Sequence, residues 1–392
     1  MANISRLSGK LCMVFVFAIV LGFCFGVEVC ANVAIDSKAS LLMEAETGKV
    51  LHEANAHDKL APASVTKVMT MLLIYEALEQ ERIRWDDVVT VSAHAASMGG
   101  SQIFLEVNEQ QTVRDLTKSI VIASANDAAV AMAEFISGSE DAFVTAMNNK
   151  AAALGMENTT FKNASGLDMP GHITTAYDIA LMSRELILRH PDVFQYAKTR
   201  LDSITHKTAR GEEEFGLTNT NKLIRNYTGA TGLKTGSTSE ALYCISATAE
   251  KDGMQLIAVI LAAPDPGTRF DSAMKLLDYG YANYALIAKE EAGTEMGEIR
   301  IYKGKVESAP VVIKEQTNML APKGKHVTLE GEVIINDAMD APIEAGQIAG
   351  EVVYTWEGEE VGRSELVVAE AIDRASVADM MDRLFKRWFF AA

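Results

Sequence analysis

The stretch Ala61-Pro62-Ala63-Ser64-Val65-Thr66-Lys67-Val68-Met69-Thr70-Met71-Leu72-Leu73-Ile74-Tyr75-Glu76 is the one around which the rest of the chain is arranged. Pro62 suits the entry to a helix, because its fixed φ fits there and its missing N–H costs little. The residues after Ser64 are strongly apolar and predict a buried helix. Ser64 and Lys67 are three apart, so they share a helix face. A serine hydroxyl is a weak nucleophile until a base takes its proton. A lysine serves as that base only when burial or a second cation lowers its pKa. Ser-x-x-Lys is weak as a signal on its own, and Ser272-Ala273-Met274-Lys275 fits it equally well.

The whole chain sets the context. Its 392 residues suffice for two or three domains, and a hydrophobic content of 48% supplies a large core and excludes global disorder. A formal net charge of −17 argues against nucleic acid as a partner. Arg6 and Lys10 precede an uncharged segment over residues 11–27, and Val29-Cys30-Ala31 offers small residues for cleavage. The pattern predicts a signal peptide over residues 1–31 and export to the outer face of the bacterial cytoplasmic membrane. Three of the four cysteines lie in that segment, so the mature chain keeps only Cys244, expected as a buried structural thiol.

Going along the mature chain, residues 40–45 and 50–53 read as a hairpin around Glu46-Thr47-Gly48-Lys49. Thr112 is a candidate cap for a helix reaching about Ala123. Ser124-Ala125-Asn126-Asp127 then interrupts two apolar helical stretches, as a loop lining a cleft would, and it holds the one Ser-x-Asn of the chain. Residues 141–188 read as mainly helical, broken at Asn163-Ala164-Ser165-Gly166-Leu167, and residues 200–227 as polar and loop-rich. Two strands, Ala241 to Glu250 and Met254 to Ala263, flank the turn Lys251-Asp252-Gly253, and Arg269 opens a further helix.

Beyond residue 298, short β-branched runs between turn residues predict a small all-β unit. In the tail, Ser376-Val377-Ala378-Asp379 resembles a capping box. Val377, Met380, Met381, Leu384, Phe385 and Trp388 fall on one helical face beside Arg383, Lys386 and Arg387. That pattern predicts an interfacial helix on a membrane surface.

Ser64-x-x-Lys67, Ser124-x-Asn126 and Lys234-Thr235-Gly236 occur in this order, and three ordered motifs are far more specific than any one. The decoy Ser272 fails because it follows the Lys-Thr-Gly. With these motifs the chain resembles the low-molecular-mass penicillin-binding proteins, serine D-alanyl-D-alanine carboxypeptidases of bacterial cell-wall metabolism.

The resemblance implies an α+β chain. A β-lactamase/transpeptidase-like domain, an antiparallel sheet flanked by helices, would span residues 32–290. A small β-sandwich-like domain over residues 291–372 and an amphipathic membrane-anchoring helix over residues 373–392 would follow. It implies Ser64 as the acyl-enzyme nucleophile, Lys67 as the base, Ser124 as a proton relay and Asn126 as a holder of the substrate amide. Lys234 would keep Lys67 neutral, and Thr235 and Arg269 would bind the terminal carboxylate. Gly236 and Ser237 complete the substrate strand, and the backbone N–H groups of Ser64 and Ser237 would form the oxyanion hole. The implied partners are peptidoglycan stem peptides, with β-lactams as covalent inhibitors, and no metal or cofactor. Ala125, where many relatives carry glycine, and Ser237, where some carry histidine, are departures expected to tune deacylation. A class A β-lactamase would want aspartate in the middle motif and a Glu-x-x-Leu-Asn loop, and Glu157-Asn158 does not fit. A catalytically retired wall-binding protein is the other alternative.

Overall fold

A computed structural model describes residues 33–390, apart from 209–210, 289, 316–317, 325–328 and 357. The expected signal segment lies outside the described residues. A five-stranded antiparallel sheet forms the centre, with the spatial order Val50–Ala54, Ala39–Glu44, Met254–Ala263, Leu242–Lys251, Ala230–Thr238. Strands from both ends of this region meet because Ala39–Glu44 pairs with Met254–Ala263, Leu41 opposite Val259. The Met254–Ala263 strand is apolar at nearly every position because both of its faces are covered. Ile257, Val259 and Leu261 join the core under the N-terminal helices, while Leu256, Ala258 and Ile260 join the core under the helix Pro266–Asn283. Strand side chains alternate between faces, so a two-sided core demands a continuous apolar run. Each fully buried aliphatic side chain contributes about 1.5–3 kcal/mol.

The helix Lys67–Glu79 runs through the larger core and is buried at every position from Lys67 to Ala77. A helix apolar all round belongs inside a domain. Ser64 does not sit in this helix as expected. It lies in a 3₁₀ turn, Ala63–Thr66, entered through Ala63 at φ +48°. The tighter turn still stacks residue 64 under residue 67. The expected cap at Thr112 is present, its hydroxyl accepting from the Asp115 N–H, and Asp265 caps the helix that carries Arg269. Ser124 breaks the chain between the helices Val113–Ile122 and Asn126–Ser137 at φ +64°.

One expectation fails here. Residues 200–227 hold a two-stranded ribbon, Leu201–Thr208 paired with Gly211–Thr218. Only Ile204 and Leu217 of its sixteen residues are buried, so it carries no alternating apolar pattern to read.

The C-terminal region folds as an all-β unit. Its six-stranded sheet has the order Glu330–Ile335, Ile348–Trp356, Glu359–Val368, Ser308–Ile313, Glu295–Tyr302, Ala338–Asp340. Ile299, Val311, Tyr354 and Leu366 are in its core. A separate ribbon pairs Tyr284–Ala288 with Asn318–Pro322, and Leu320 packs in the core beneath the helix Pro266–Asn283. The tail helix spans Val377–Phe390, with Ser376 and Asp379 capping each other reciprocally. Met381, Leu384, Phe385 and Phe389 are exposed, and Trp388 is 87% exposed. Among the described residues no helix is long and apolar enough to cross a membrane.

Candidate active site

Three segments distant in sequence converge on Lys67. The 3₁₀ turn supplies Ser64, half-buried, while Lys67 at the start of the following helix is fully buried. Lys67 Nζ lies 2.9 Å from Ser64 Oγ, 2.5 Å from Asn126 Oδ1 and 2.6 Å from the Ser165 carbonyl oxygen. Asn126 is oriented by its own Nδ2, which donates to the Gly99 carbonyl at 2.7 Å. Two of the three neighbours of Nζ therefore only accept. A neutral amine has two N–H groups, and these two acceptors use both. Its lone pair is left facing the one neighbour that can donate, the Ser64 hydroxyl. Burial first, and Lys234 second, hold the Lys67 pKa well below the ordinary lysine value, with Asp127 opposing. A neutral, aimed amine is what activation of Ser64 requires.

The Ala230–Thr238 strand brings Lys234 to the same place. Lys234 is buried, donates to the Thr235 carbonyl at 3.0 Å, and has its pKa lowered to about 7 by burial and then by Arg269. Gly236 presses on the nucleophile turn. A Cβ there would stand 2.8 Å from the Ser64 nitrogen and 3.0 Å from the Val65 nitrogen, so only glycine lets the strand come this close. Arg269 is also buried. Its Nη1 donates to the carbonyls of Gly236 and Cys244 at 3.2 and 3.4 Å, and its Nε is buried with no partner. Among the described residues no carboxylate pairs with Arg269, and burial lowers its pKa to about 10. A buried guanidinium left unpaired is costly, and it is a ready receptor for an anion brought by a ligand.

The other expected residues divide. Thr235 lies on the strand with its hydroxyl donating to Thr220 Oγ1 at 2.8 Å. Ser124 is buried at its turn, but its hydroxyl makes no hydrogen bond to Lys67 or Lys234. Ser237 is exposed at the end of the strand. Asn126, expected to hold the substrate amide, has both ends of its own amide engaged within the protein, Oδ1 by Lys67 and Nδ2 by the Gly99 carbonyl. Cys244 is fully buried, and burial raises its thiol pKa to about 11. Ser272, the decoy, is buried in the helix Pro266–Asn283.

Sequence reading missed two supports. Asp127 is a buried carboxylate that accepts from the N–H groups of Ile103, Leu105 and Ala128, fixing the loop beside Asn126. Its place next to Ser-x-Asn at a helix start was the available signal. The second is the strap Asn163–Leu167, which in the sequence reads only as a break between helices. Asn163 Oδ1 accepts from the N–H groups of Ser165 and Gly166, and Thr70 donates to the Ala164 carbonyl, which delivers the Ser165 carbonyl to Lys67. A backbone acceptor leaves no side-chain signature in a sequence.

A serine approached by one buried lysine, with a second buried lysine close by, is the arrangement of a serine hydrolase of the penicillin-binding class. The chain belongs to the family of D-alanyl-D-alanine carboxypeptidases, peptidase family S11, whose model matches residues 27–265. The C-terminal domain of penicillin-binding protein 5 matches residues 287–374. The chain is similar to D-alanyl-D-alanine carboxypeptidase DacF of Bacillus subtilis, 41% identical with 91% of each chain covered. It is 32% identical to the carboxypeptidase DacC of Escherichia coli, covering 91% of this chain and 90% of that one. Among solved structures it resembles penicillin-binding protein 5 from Haemophilus influenzae, with TM-score 0.73 and 31% identity over 87% of this chain and 98% of that one. Penicillin-binding protein D2 from Listeria monocytogenes, solved in an ampicillin-bound form, is 34% identical with TM-score 0.56, covering 64% of this chain and 99% of its own.

Proposed function

We propose that this protein is a D-alanyl-D-alanine carboxypeptidase that trims the terminal D-alanine from peptidoglycan stem peptides through an acyl-enzyme on Ser64. The observation that carries the reading is Lys67 Nζ, buried, held by two obligate acceptors and 2.9 Å from Ser64 Oγ. Lys67 takes the Ser64 proton as Oγ bonds to the carbonyl carbon between the two D-alanines. The C–N bond breaks, and the proton reaches the departing amine by way of Ser124. Water then attacks the Ser64 ester, releasing the shortened peptide and restoring the hydroxyl. Arg269 and Thr235 receive the terminal carboxylate. The unpaired Arg269 Nε supports that assignment. β-Lactams carry a carboxylate and a strained amide in the same relation and acylate Ser64 in the same way.

The lactamase alternative is not favoured. Lys67 meets the strap through the backbone carbonyl of Ser165, not through a carboxylate placed to activate water. A retired wall-binding protein would have no use for a buried lysine pair that costs stability. Fluorescent penicillin should label the wild type and not Ser64→Ala, with D-alanine released catalytically from a pentapeptide. Equal labelling of both forms would overturn the nucleophile.

Export and attachment belong to the same proposal. The N-terminal pattern supports cleavage and release outside the cytoplasmic membrane. The exposed apolar face of Val377–Phe390 supports lodging of the tail in the outer leaflet surface. Removing residues 376–392 should move the mature protein from the membrane fraction to the soluble one, and unchanged fractionation would reject the anchor.

A further inference from the structure

The strap that presents the Ser165 carbonyl to Lys67 is buckled to the nucleophile turn by one side chain that belongs to none of the three motifs. His172 is 3% exposed. Its Nδ1 faces the backbone N–H of Lys162 at 3.2 Å, and its Nε2 faces Thr66 Oγ1 at 2.8 Å. A backbone N–H only donates, so Nδ1 is the acceptor. The neutral ring then carries its proton on Nε2 and donates it to Thr66. An imidazolium would set one N–H against another, so the position admits the neutral ring in one tautomer. Burial favours the same form, lowering the pKa to about 4.

The geometry makes this histidine a joint between two loaded segments. Thr66 closes the 3₁₀ turn that holds Ser64 and precedes Lys67 directly. Lys162 and His172 flank the strap on either side. The strap lies hard against the turn, for a Cβ on Gly166 would come within 1.9 Å of the Ala63 carbonyl oxygen. Ser64 Oγ, Lys67 Nζ and the Ser165 carbonyl thus depend on two segments keeping one separation. The His172 ring spans that separation with a hydrogen bond at each end.

We propose that His172 is a positioning residue for acylation: its Nε2–H···Thr66 bond holds the strap in register with the nucleophile turn, so that the Ser165 carbonyl aims the Lys67 lone pair at Ser64. It touches no substrate and transfers no proton. Its loss slows attack by Ser64 without weakening the prior, non-covalent binding of substrate. The inference rests on Ser64 acylation as proposed above.

The test follows acylation by fluorescent penicillin in stopped flow, resolving the acylation rate constant from the preceding binding constant. His172→Phe keeps the ring and removes both hydrogen bonds. His172→Gln retains a donor near the Nε2 position. Loss of the two hydrogen bonds predicts a roughly tenfold slower acylation step in His172→Phe, an unchanged binding constant, and complete labelling at long times. His172→Gln should recover most of the rate. Thr66→Val removes the same bond from the other side, so the double variant should be no slower than the worse single one. If His172→Phe does not fold, Thr66→Val and His172→Gln carry the test by themselves. Wild-type rates in folded, fully labelled His172→Phe and Thr66→Val overturn the proposal, and so does an additive double variant. A wild type that fails to acylate would instead overturn the nucleophile reading and is told apart by that control.

Discussion

Lys234 shows how much chemistry one side chain stores by being in the wrong solvent. Its ordinary pKa is 10.5, and burial with Arg269 nearby lowers it to about 7. Between those two values the native state binds fewer protons than the unfolded chain, so stability rises with pH through that window. Below pH 7 both states are protonated and the full penalty of the buried charge applies. Lys234→Met should therefore raise Tm by several degrees at pH 6, with the gain shrinking toward pH 10. A melting series against pH checks it. Activity should respond in the opposite sense. Lys67 is held below its usual pKa partly by the Lys234 charge, so in Lys234→Met the Lys67 pKa climbs. The acid limb of the penicillin acylation profile should then move to higher pH. An unmoved limb would separate the two lysines electrostatically.

Among the elements, the strap Asn163–Leu167 and the strand Ala230–Thr238 close on the nucleophile turn from two sides, and both do so through glycine. Gly166 adopts φ +86°, a conformation that costs an alanine about 1–2 kcal/mol before any clash is counted. Its absent Cβ also leaves room for the Ala63 carbonyl. Gly166→Ala should destabilise the fold by at least that much and slow acylation at least tenfold, because the strap must lift and carry the Ser165 carbonyl with it. Stopped-flow labelling beside a urea melt would separate the two effects. Gly48, Gly138 and Gly155 also have positive φ, yet none has backbone within 4 Å of the missing Cβ, so geometry alone singles out Gly166 among them. In the sequence, Asn163-Ala164-Ser165-Gly166-Leu167 reads as a break in a helical pattern and nothing more.

Across the whole molecule the catalytic region and the β unit share structure at Tyr284–Ala288, whose strand partner Asn318–Pro322 comes from farther along the chain. Leu320, carried on that partner, is buried in the core beneath the helix Pro266–Asn283. Truncation after Ala288 should leave Leu286 without its cover, lower Tm by several degrees and reduce the monomeric fraction in size exclusion. Penicillin labelling should survive in the folded fraction, because none of the candidate site residues named above lies beyond Arg269.

Much of this was legible from the chain alone. The hairpin at residues 39–54, the paired strands on either side of Lys251-Asp252-Gly253, the Thr112 cap and the tail helix all follow from local patterning, because period and turn chemistry are properties of neighbouring residues. The identities of Ser64, Lys67, Asn126 and Lys234 follow from ordered motifs. Tertiary structure alone decided that the Asn126 amide is engaged by Lys67 and by the Gly99 carbonyl, that the second acceptor on Lys67 is a carbonyl from residue 165, and that Arg269 stands buried with no carboxylate partner among the described residues. The physical reason is the range of the forces. Propensity and capping act within a few residues, whereas desolvation, lone-pair direction and an unpaired charge depend on which distant backbone is folded against them.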